Sequence, residues 1–340
     1  MVKLLSLFSG IGAFEKALQK LSIEYDLVGY CEIDNYASKA YSLIHHVPET
    51  LNLGDITKVD VNELSKDIDL LTYGFPCQDV SIAGERKGFA CEGEFTRTGL
   101  FYNALNIITA VKPKYAVAEN VRNLLSDNFK KDFDVVLDCL DKANYNNYYA
   151  VLNAKDFGIP QFRERVFIVS IRKDVDDDCF YFPKRVKLEK VLRDILETNV
   201  SEKYYVSSKI PFDISDYGEV NVPYYSVNQI GNLFPSSTRD NPNQGRVYDF
   251  NGISPTLNCM GGGSRQPFIV IGSRVRKLTP KECFRLMGFD DIDVNVLIDN
   301  KISNTQLYKM AGNSIVVNVL VALLRNLLCP DEREPTEFLF

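Results

Sequence analysis

The sequence contains only two histidines, His45 and His46, and they are adjacent. Its eight cysteines are scattered, and no two of them form a C-x-x-C pair. A structural zinc site uses four closely spaced Cys or His ligands, so these shortages argue against one and we expect no metal. They also argue against a Cys–His catalytic pair. We expect both histidines at the surface or at the end of a helix, and not beside a nucleophilic cysteine.

Long apolar runs are also lacking, and none reaches the length of a membrane span. The N-terminal MVKLLSLFSG has no small-residue cleavage site, so we expect a first strand and not a signal peptide. Scattered single cysteines are typical of reduced thiols, and we expect a cytoplasmic protein. The 340 residues are long enough for one large and one smaller domain.

Positive charge is scarce overall, since the net charge is −6, and this argues mildly against a nucleic-acid partner. The charge is uneven, however. Between residues 239 and 285, the acids are only Asp240, Asp249 and Glu282. The basic residues of that stretch are Arg239, Arg246, Arg265, Arg274, Arg276, Lys277, Lys281 and Arg285. The excess predicts a local basic face.

The first half of the chain alternates short apolar segments with amphipathic ones. Predicted strands cover 2–8, 26–33, 67–74, 114–121, 148–154 and 165–171, with helical patterns between most of them. This alternation predicts an α/β fold with a doubly wound, mostly parallel, Rossmann-like sheet, in which ligands bind at the carboxyl ends of the strands.

The pattern changes near residue 186, where Tyr, Asn, Ser, Pro and Gly become frequent. We therefore divide the chain into 1–185, an irregular β-rich region at 186–300, and 301–340. The third segment is strongly apolar and is expected to return to the main domain. At 279–282, TPKE predicts a helix start with a capping box.

FSGIGAFE (8–15) connects the first predicted strand to the first helix. Gly10 and Gly12 allow a tight turn and close approach of the main chain to a ligand. Glu32 ends the second predicted strand, where an acid can accept bonds from ribose hydroxyls. Together they predict an adenosine-containing cofactor.

The identity of that cofactor depends on the third position of G-x-G-x-x-G, which is Glu15. A carboxylate there would repel a pyrophosphate, which argues against a nicotinamide-dependent oxidoreductase. S-adenosylmethionine has no phosphate and carries a cationic sulfonium, so it is favoured. Phe8 can face the adenine. GDI (54–56) ends a further strand-like segment, and its Asp55 can accept a bond from the adenine amino group. Asp55 and Glu32 could alternatively be ordinary loop acids.

GFPCQDVS (74–81) places Cys77 just after the strand 67–74, at the expected ligand edge. A thiolate is a nucleophile, and the cations Arg86, Lys87 and Arg97 could raise its ionised fraction. The alternative is an inert, packed cysteine.

Two further segments carry polar groups suited to a heterocyclic base. Glu119 of AENV (118–121) can protonate or bond a ring nitrogen. Gln161, Arg163 and Arg165 of QFRER lie on one face if that segment is a strand, and a solvated strand face is the alternative.

These motifs, in this order, resemble the cytosine-5 DNA methyltransferase family, of the bacterial or phage type II modification kind. Ala13 departs from a second glycine common after GIG, and Ser314 occupies a variable position. The matching segments are FSGIG (8–12), Glu32, GDI (54–56), GFPCQ (74–78), TGLF (98–101), ENV (119–121), QFRER (161–165), RKLTPKECFRLMGF (276–289) and GNS (312–314).

The resemblance implies a mechanism. Cys77 adds to C6 of a cytosine that has left the duplex, and C5 then takes the methyl group of S-adenosylmethionine. Glu119 assists at N3. Arg165 contacts the carbonyl oxygen of the base, with Arg163 and Gln161 in support.

The resemblance also implies the binding residues, with 1–185 as catalytic domain, 186–300 as target-recognition domain and 301–340 as returning helical segment. The implied cofactor residues are Phe8, Gly10, Ile11, Gly12, Glu32, Ile33, Asp55, Ile56, Gly74, Pro76, Leu100, Asn313 and Ser314. The implied DNA contacts are Gln78, Ser81, Arg86, Lys87, Arg97, Arg239, Arg246, Thr256, Leu257 and Arg265. Thr256 and Leu257 could alternatively be a plain turn and strand end.

The expected partner is double-stranded DNA, bound by a monomer near the nucleoid, and a restriction endonuclease for the same site is a candidate companion. Two alternatives stay open. An RNA (tRNA) cytosine-5 methyltransferase would share the scaffold. A DNA-binding module without activity would not need Cys77, Glu119 and Arg165.

Overall fold

The computed structural model describes residues 1–75, 99–207, 210, 225–235, 242–259 and 265–329. The chain splits into two compact units. Unit 1 comprises Met1–Leu152, Glu164–Pro183 and Leu323–Phe340, and unit 2 comprises Asn153–Arg163 and Lys184–Ala322. The predicted functional division at 185 and 300 stays a prediction.

Unit 1 contains a six-stranded sheet. Its strands are β1 (Val2–Leu7), β2 (Tyr25–Cys31), β3 (Leu70–Tyr73), β4 (Tyr115–Val121), β5 (Tyr145–Asn153) and β6 (Glu164–Arg172), in the order β2-β1-β3-β4-β6-β5. β1 is parallel to β2 and β3, β3 is parallel to β4, and β4 and β6 are antiparallel. The predicted α/β class is confirmed.

Among the described residues, unit 1 also contains the helices α1 (Ala13–Lys20), α2 (Asn35–His45), α3 (Gly99–Val111) and α4 (Lys130–Lys142). Asp34 is the N-cap of α2, because its carboxylate accepts hydrogen bonds from the N–H groups of Tyr36 and Ala37. Leu5, Leu71 and Ala116 are fully buried in the core. Because β1 has neighbours on both sides, the strand order reverses beside it, and the loop after β1 lies where such sheets bind ligands.

The segment before GDI differs from the prediction of a strand. Gly54 and Asp55 lie in a loop before a short 3-10 turn at Ile56–Lys58. Asn52 makes the one bridge to β2 here, opposite Tyr30. The chain before it turns in a short 3-10 segment at Glu49–Leu51, and Leu53 N–H donates to Tyr30 O at 2.7 Å, so the contact with β2 is an isolated bridge and not a strand ladder.

Unit 2 contains a four-stranded sheet with the order β10-β9-β8-β7. Its strands are β7 (Gln229–Asn232), β8 (Arg246–Tyr248), β9 (Phe268–Ile271) and β10 (Arg274–Lys277). Val247, Phe268, Val270 and Val275 form its small apolar core. This sheet is the β-rich part expected after residue 186.

The C-terminal region is helical: α5 (Pro280–Arg285), α6 (Asp291–Asp299), α7 (Asn304–Asn313) and α8 (Val317–Leu328). The predicted capping box is confirmed, since Glu282 N–H donates to Thr279 Oγ1 and Thr279 N–H to Glu282 Oε2. Contrary to expectation, one stretch of the described residues, Asn304–Leu328, is long and apolar enough to cross a membrane, but 67% of its most apolar window is buried. Such burial is typical of a core helix.

Candidate active site

The loop after β1 has an unusual backbone. Phe8, Gly10 and Gly12 have φ angles of 54°, 57° and 78°. For Phe8 this left-handed conformation costs on the order of 1–3 kcal/mol, and such strain concentrates at functional sites. A Cβ at Gly10 would meet no atom within 4 Å. The main chain at Gly10 is therefore open to close approach by a ligand.

Glu32 lies directly after β2 and is bonded to this loop. Its Oε2 accepts from Gly10 N–H at 2.9 Å, and its Oε1 accepts from Asp34 N–H at 2.7 Å. Burial raises the pKa of Glu32 despite these bonds, which act in the opposite direction. The next side chain, Ile33, is 72% exposed and offers an apolar surface beside the acid.

Asn52 is a positioning residue that sequence reasoning missed. Its Oδ1 accepts from Glu32 N–H at 3.0 Å and from Gly54 N–H at 2.9 Å, and its Nδ2 donates to Glu32 O at 2.9 Å. It therefore joins the end of β2 to GDI. The only sequence signal was an asparagine two residues before the glycine of GDI.

Asp55 accepts bonds at one oxygen from the main chain and the hydroxyl of Thr57, and these lower its pKa. Thus Asp55 is ionised at neutral pH. Of the other predicted cofactor residues, Ile11 and Ile56 are buried, and Leu100 is partly buried.

Glu15 does not occupy the ligand side of the loop. Glu15 is 1% exposed. Burial is the larger cause of the raised pKa values of Tyr25 and Tyr41, and the nearby charge of Glu15 raises both further. The carboxylate is thus enclosed beside those tyrosines. The prediction that Glu15 would directly repel a bound pyrophosphate is therefore wrong, because its carboxylate is buried.

Glu119 and Arg165 form an ion pair in unit 1. Arg165 Nε is 2.9 Å from Glu119 Oε1, and the two side chains are 17% and 14% exposed. β4 and β6 pair in antiparallel register and place these side chains together. Partial burial strengthens a charge-assisted bond of this kind, and a fraction of each group stays accessible.

The ENV segment also anchors the start of GFPCQ. A Cβ at Gly74 would lie 3.9 Å from Glu119 Oε2, so Gly74 is beside the carboxylate. Asn120 Nδ2 donates to Phe75 O at 2.9 Å from a buried position. Phe75 precedes Cys77 by two residues. Asn120 was inside a recognised motif, but no role for it was predicted.

Gln161 and Arg163 have a different environment, in unit 2. Gln161 Nε2 donates to Leu286 O at 2.8 Å, and its Oε1 accepts from Leu257 N–H at 3.0 Å. Arg163 donates to the carbonyls of Leu257, Gly312 and Ser314 at 2.7, 3.0 and 2.8 Å.

The prediction that Gln161, Arg163 and Arg165 share one strand face is wrong. β6 begins only at Glu164. The preceding residues instead run beside Ser254, so Gln161 and Arg163 are bonded to other main-chain segments.

The GNS segment ends α7. Asn313 is exposed and Ser314 is buried. A Cβ at Gly312 would lie 1.9 Å from Asn258 O, so only glycine allows this approach. Arg163 bonds the carbonyls on both sides of Asn313 and thereby sets its main chain.

Among the predicted DNA contacts in unit 2, Thr256 and Arg265 are exposed, Arg246 is partly buried, and Leu257 is 1% exposed. Thr256 Oγ1 also donates to Phe162 O at 2.6 Å. Leu257 is buried, and its N–H and C=O groups are bonded to Gln161 and Arg163, so its assignment as a DNA contact stays a prediction.

The basic face predicted for 239–285 is partly neutralised. Three acids from outside that stretch, Glu197, Glu202 and Asp291, pair with its cations, and Arg276 pairs with Glu282 inside it. The pairs in the described residues include Arg274–Glu202, Arg276–Glu282, Lys281–Glu197 and Arg285–Asp291.

Several predicted residues lie outside the described part of the chain. They are Pro76, Cys77, Gln78, Ser81, Arg86, Lys87, Arg97 and Arg239. Their assignments stay predictions.

Comparison with solved structures supports the fold. The crystal structure of the S. pombe Dnmt2 methyltransferase superposes with a TM-score of 0.69 at 23% identity, covering 98% of this chain and 100% of that chain. The likeness shows that the chain shares the Rossmann-like α/β fold of that structure.

The family follows from sequence comparison. The model for C-5 cytosine-specific DNA methylases matches residues 2–329. The orphan methyltransferase M.SPBetaI of Bacillus phage SPbeta is 31% identical, covering 96% of this chain and 97% of that protein. The type II methyltransferase M.HhaI of Haemophilus parahaemolyticus is 34% identical, over 96% and 94%. The chain belongs to the C-5 cytosine-specific DNA methylase family and is a DNA (cytosine-5-)-methyltransferase.

Proposed function

We propose that this enzyme transfers a methyl group from S-adenosylmethionine to C5 of a flipped-out cytosine in double-stranded DNA, through a covalent bond from Cys77 to C6. The observation that carries this proposal is the Glu119–Arg165 pair beside Gly74. An acid and a fork-shaped cation next to the lead-in to GFPCQ suit a ring nitrogen and a carbonyl oxygen on one heterocycle.

The residues at the end of β1 and β2 fit S-adenosylmethionine. Glu32 has both oxygens oriented by main-chain N–H groups and can accept from ribose hydroxyls, and Gly10 leaves open space at its Cβ position. Ile33 can cover an adenine face, and Asn313, exposed at the end of α7, is a further candidate contact. When bound, this cofactor supplies an electrophilic methyl group.

The protein groups divide the remaining chemistry. The Cys77 thiolate donates an electron pair to C6. Glu119 stabilises the negative charge that develops at N3 by donating a proton or a hydrogen bond to that nitrogen. Arg165 binds the base oxygen and orients Glu119. Transfer of the methyl group to C5 would break its bond to the sulfonium and leave S-adenosylhomocysteine. Loss of the C5 proton to a base or water then restores the C5–C6 double bond and releases the thiolate.

The biological setting is proposed from the same class. M.HhaI is named a type II methyltransferase and M.SPBetaI an orphan methyltransferase. We infer a monomer acting on cytoplasmic, nucleoid-associated DNA, with a restriction endonuclease of the same recognition sequence as candidate partner. Arg246, Arg265 and Thr256 are candidate DNA contacts, together with the predicted residues outside the described chain.

The test is transfer of a labelled methyl group from S-adenosylmethionine to duplex DNA, to tRNA and to no acceptor. We expect 5-methylcytosine in DNA containing many sequence contexts, and no label with Cys77→Ala. Label in tRNA alone would support the RNA alternative instead. Retained turnover in Cys77→Ala would refute the nucleophile assignment.

A second readout isolates the covalent step. Duplex DNA with 5-fluorocytosine at the mapped target should form a stable adduct, because fluorine cannot leave C5 as a proton does. Peptide mass spectrometry should locate the adduct at Cys77. Cys91→Ala is a matched control that should still form it.

A further inference from the structure

His45, the last residue of α2, is buried directly behind the FSGIG loop. It is 6% exposed, and its Nε2 lies 3.0 Å from the carbonyl oxygen of Ile11. Its Nδ1 lies 3.2 Å from Gln19 Nε2. The histidine therefore connects α1, α2 and the loop within unit 1.

These two bonds select one protonation form of the ring. A carbonyl can only accept, so Nε2 must carry a proton. The amide nitrogen of Gln19 can only donate, so Nδ1 must be the acceptor. Gln19 Nε2 also lies 3.2 Å from Tyr25 Oη, which can accept as well. The neutral Nε2–H tautomer satisfies every one of these contacts.

Packing places the ring against the loop. A Cβ on Gly12 would lie 2.1 Å from His45 Nε2 and 2.9 Å from Tyr41 Cε2. The missing side chain of Gly12 therefore makes room for His45 and Tyr41. Glycine is therefore needed at position 12 for packing against these two side chains. At position 10, by contrast, the open space would allow a ligand to approach the main chain.

The Ile11–Gly12 peptide is consequently bonded on both sides. Gly12 N–H donates to Ser9 O at 2.9 Å, and Ile11 O accepts from His45. Gly10 N–H is bonded to Glu32. Without the histidine, the bond from Gly12 N–H to Ser9 O would be the hydrogen bond left to this peptide among those found in the described residues.

We propose that His45 is a positioning residue for S-adenosylmethionine, acting through the Ile11 carbonyl to keep the FSGIG loop in its binding conformation. This inference rests on the proposed use of that cofactor by the loop. His45 does not touch the cofactor, so its removal should weaken cofactor binding without changing the chemistry of the bound complex.

The first test observes the contact itself. Because the chain has only two histidines, a long-range ¹H–¹⁵N spectrum of labelled protein contains two imidazoles, and His46→Asn assigns them. We expect His45 to show the Nε2–H tautomer alone. A mixture of tautomers, or the Nδ1–H form, would overturn the proposal whatever the activity of the protein.

The second test measures cofactor affinity by isothermal titration calorimetry in the full chain. His45→Phe retains a ring but cannot donate, and should raise the Kd of S-adenosylmethionine about three- to tenfold, the effect of losing one hydrogen bond. His45→Gln can donate to Ile11 O and should recover part of this loss. The control, His46→Asn, changes an exposed residue at φ 55°, which asparagine tolerates, and should bind normally.

Kinetics separate positioning from catalysis. In His45→Phe, the KM for the cofactor should rise while kcat at saturation stays within about twofold of the wild-type value. An unchanged Kd in His45→Phe, with wild type binding normally, would overturn the inference alone. A wild-type protein that does not bind S-adenosylmethionine would overturn the proposed function and this inference with it.

Discussion

Arg163 and Arg165 are two residues apart in one motif, yet they lie in regions with opposite uses of charge. In unit 2, Arg163 is 4% exposed and donates to three main-chain carbonyls. In unit 1, Arg165 pairs with the Glu119 carboxylate and remains partly exposed. The first arginine donates from both terminal guanidinium nitrogens to carbonyls inside the protein, whereas the second remains partly exposed to a ligand.

This difference separates two roles that the Q-x-R-x-R pattern does not distinguish. A buried arginine is bonded to partners inside the protein. Removing its side chain leaves those buried partners without a donor and destabilises the fold. A partly exposed pair can exchange some of its bonds for bonds to a substrate. We therefore propose that Gln161 and Arg163 position the main chain at Leu257 and on both sides of Asn313, and that Glu119 and Arg165 act on the base.

The largest expected effect belongs to Glu119. Glu119→Gln keeps a bond acceptor for Arg165 but cannot transfer a proton, so single-turnover methyl transfer should fall by about 10²–10⁴-fold. That loss corresponds to about 3–5 kcal/mol in activation free energy. The free energy of unfolding, measured in urea, should change by about 1 kcal/mol. An unfolding free energy reduced by as much as the activation free energy is raised would contradict the assignment of Glu119 to the base and not to the stability of the fold.

Arg163→Ala should show the reverse pattern. It leaves the carbonyls of Leu257, Gly312 and Ser314 without this donor, and we expect a loss of about 3–5 kcal/mol in unfolding free energy. The matched variant Arg165→Ala should lose less stability and more activity. Urea unfolding of both proteins checks this, and equal destabilisation would contradict the assignment.

Glu32 provides a pH test. Its pKa is raised, chiefly by burial, while ribose hydroxyls should bind its ionised form. Cofactor affinity should therefore fall as pH decreases through the raised pKa, by up to about tenfold per pH unit. Its contribution to folding stability has the opposite sign, being complete at low pH and lost as pH rises through that pKa.

Calorimetric Kd values of S-adenosylmethionine across the acidic range check the Glu32 prediction. Glu32→Gln should bind more weakly, with no pH dependence from this group. An unchanged slope in that variant would assign the titration to another residue.

The smallest effect concerns DNA contacts in unit 2. Arg265 is exposed, whereas Arg274 is paired with Glu202. Arg265→Ala should reduce the slope of log affinity against log salt by about 1, the value for one phosphate contact. Arg274→Ala should change it less. Fluorescence anisotropy with duplex DNA at several salt concentrations measures both, and equal slopes in all three proteins would exclude Arg265 as a phosphate contact.

Much of unit 1 was predictable because its signals are local. The β1–loop–α1 segment and Glu32 follow from strand–helix alternation and glycine spacing. In unit 2, the Thr279 cap is equally local, since it follows from four consecutive residues. The predicted strand before GDI failed because the chain turns at Glu49–Leu51 and makes only an isolated bridge to β2 at Asn52. The basic face between 239 and 285 was overestimated because the paired acids Glu197, Glu202 and Asp291 lie outside it.

By itself, the sequence determined the α/β class, the family and the set of polar residues on which the chemistry depends, since these follow from residue type and order. Only the tertiary structure decided what each polar group bonds. Burial placed Arg163 among carbonyls, enclosed Glu15 and brought His45 behind the FSGIG loop. Hydrogen bonds and desolvation depend on neighbours distant in the chain, and a linear pattern does not contain those distances.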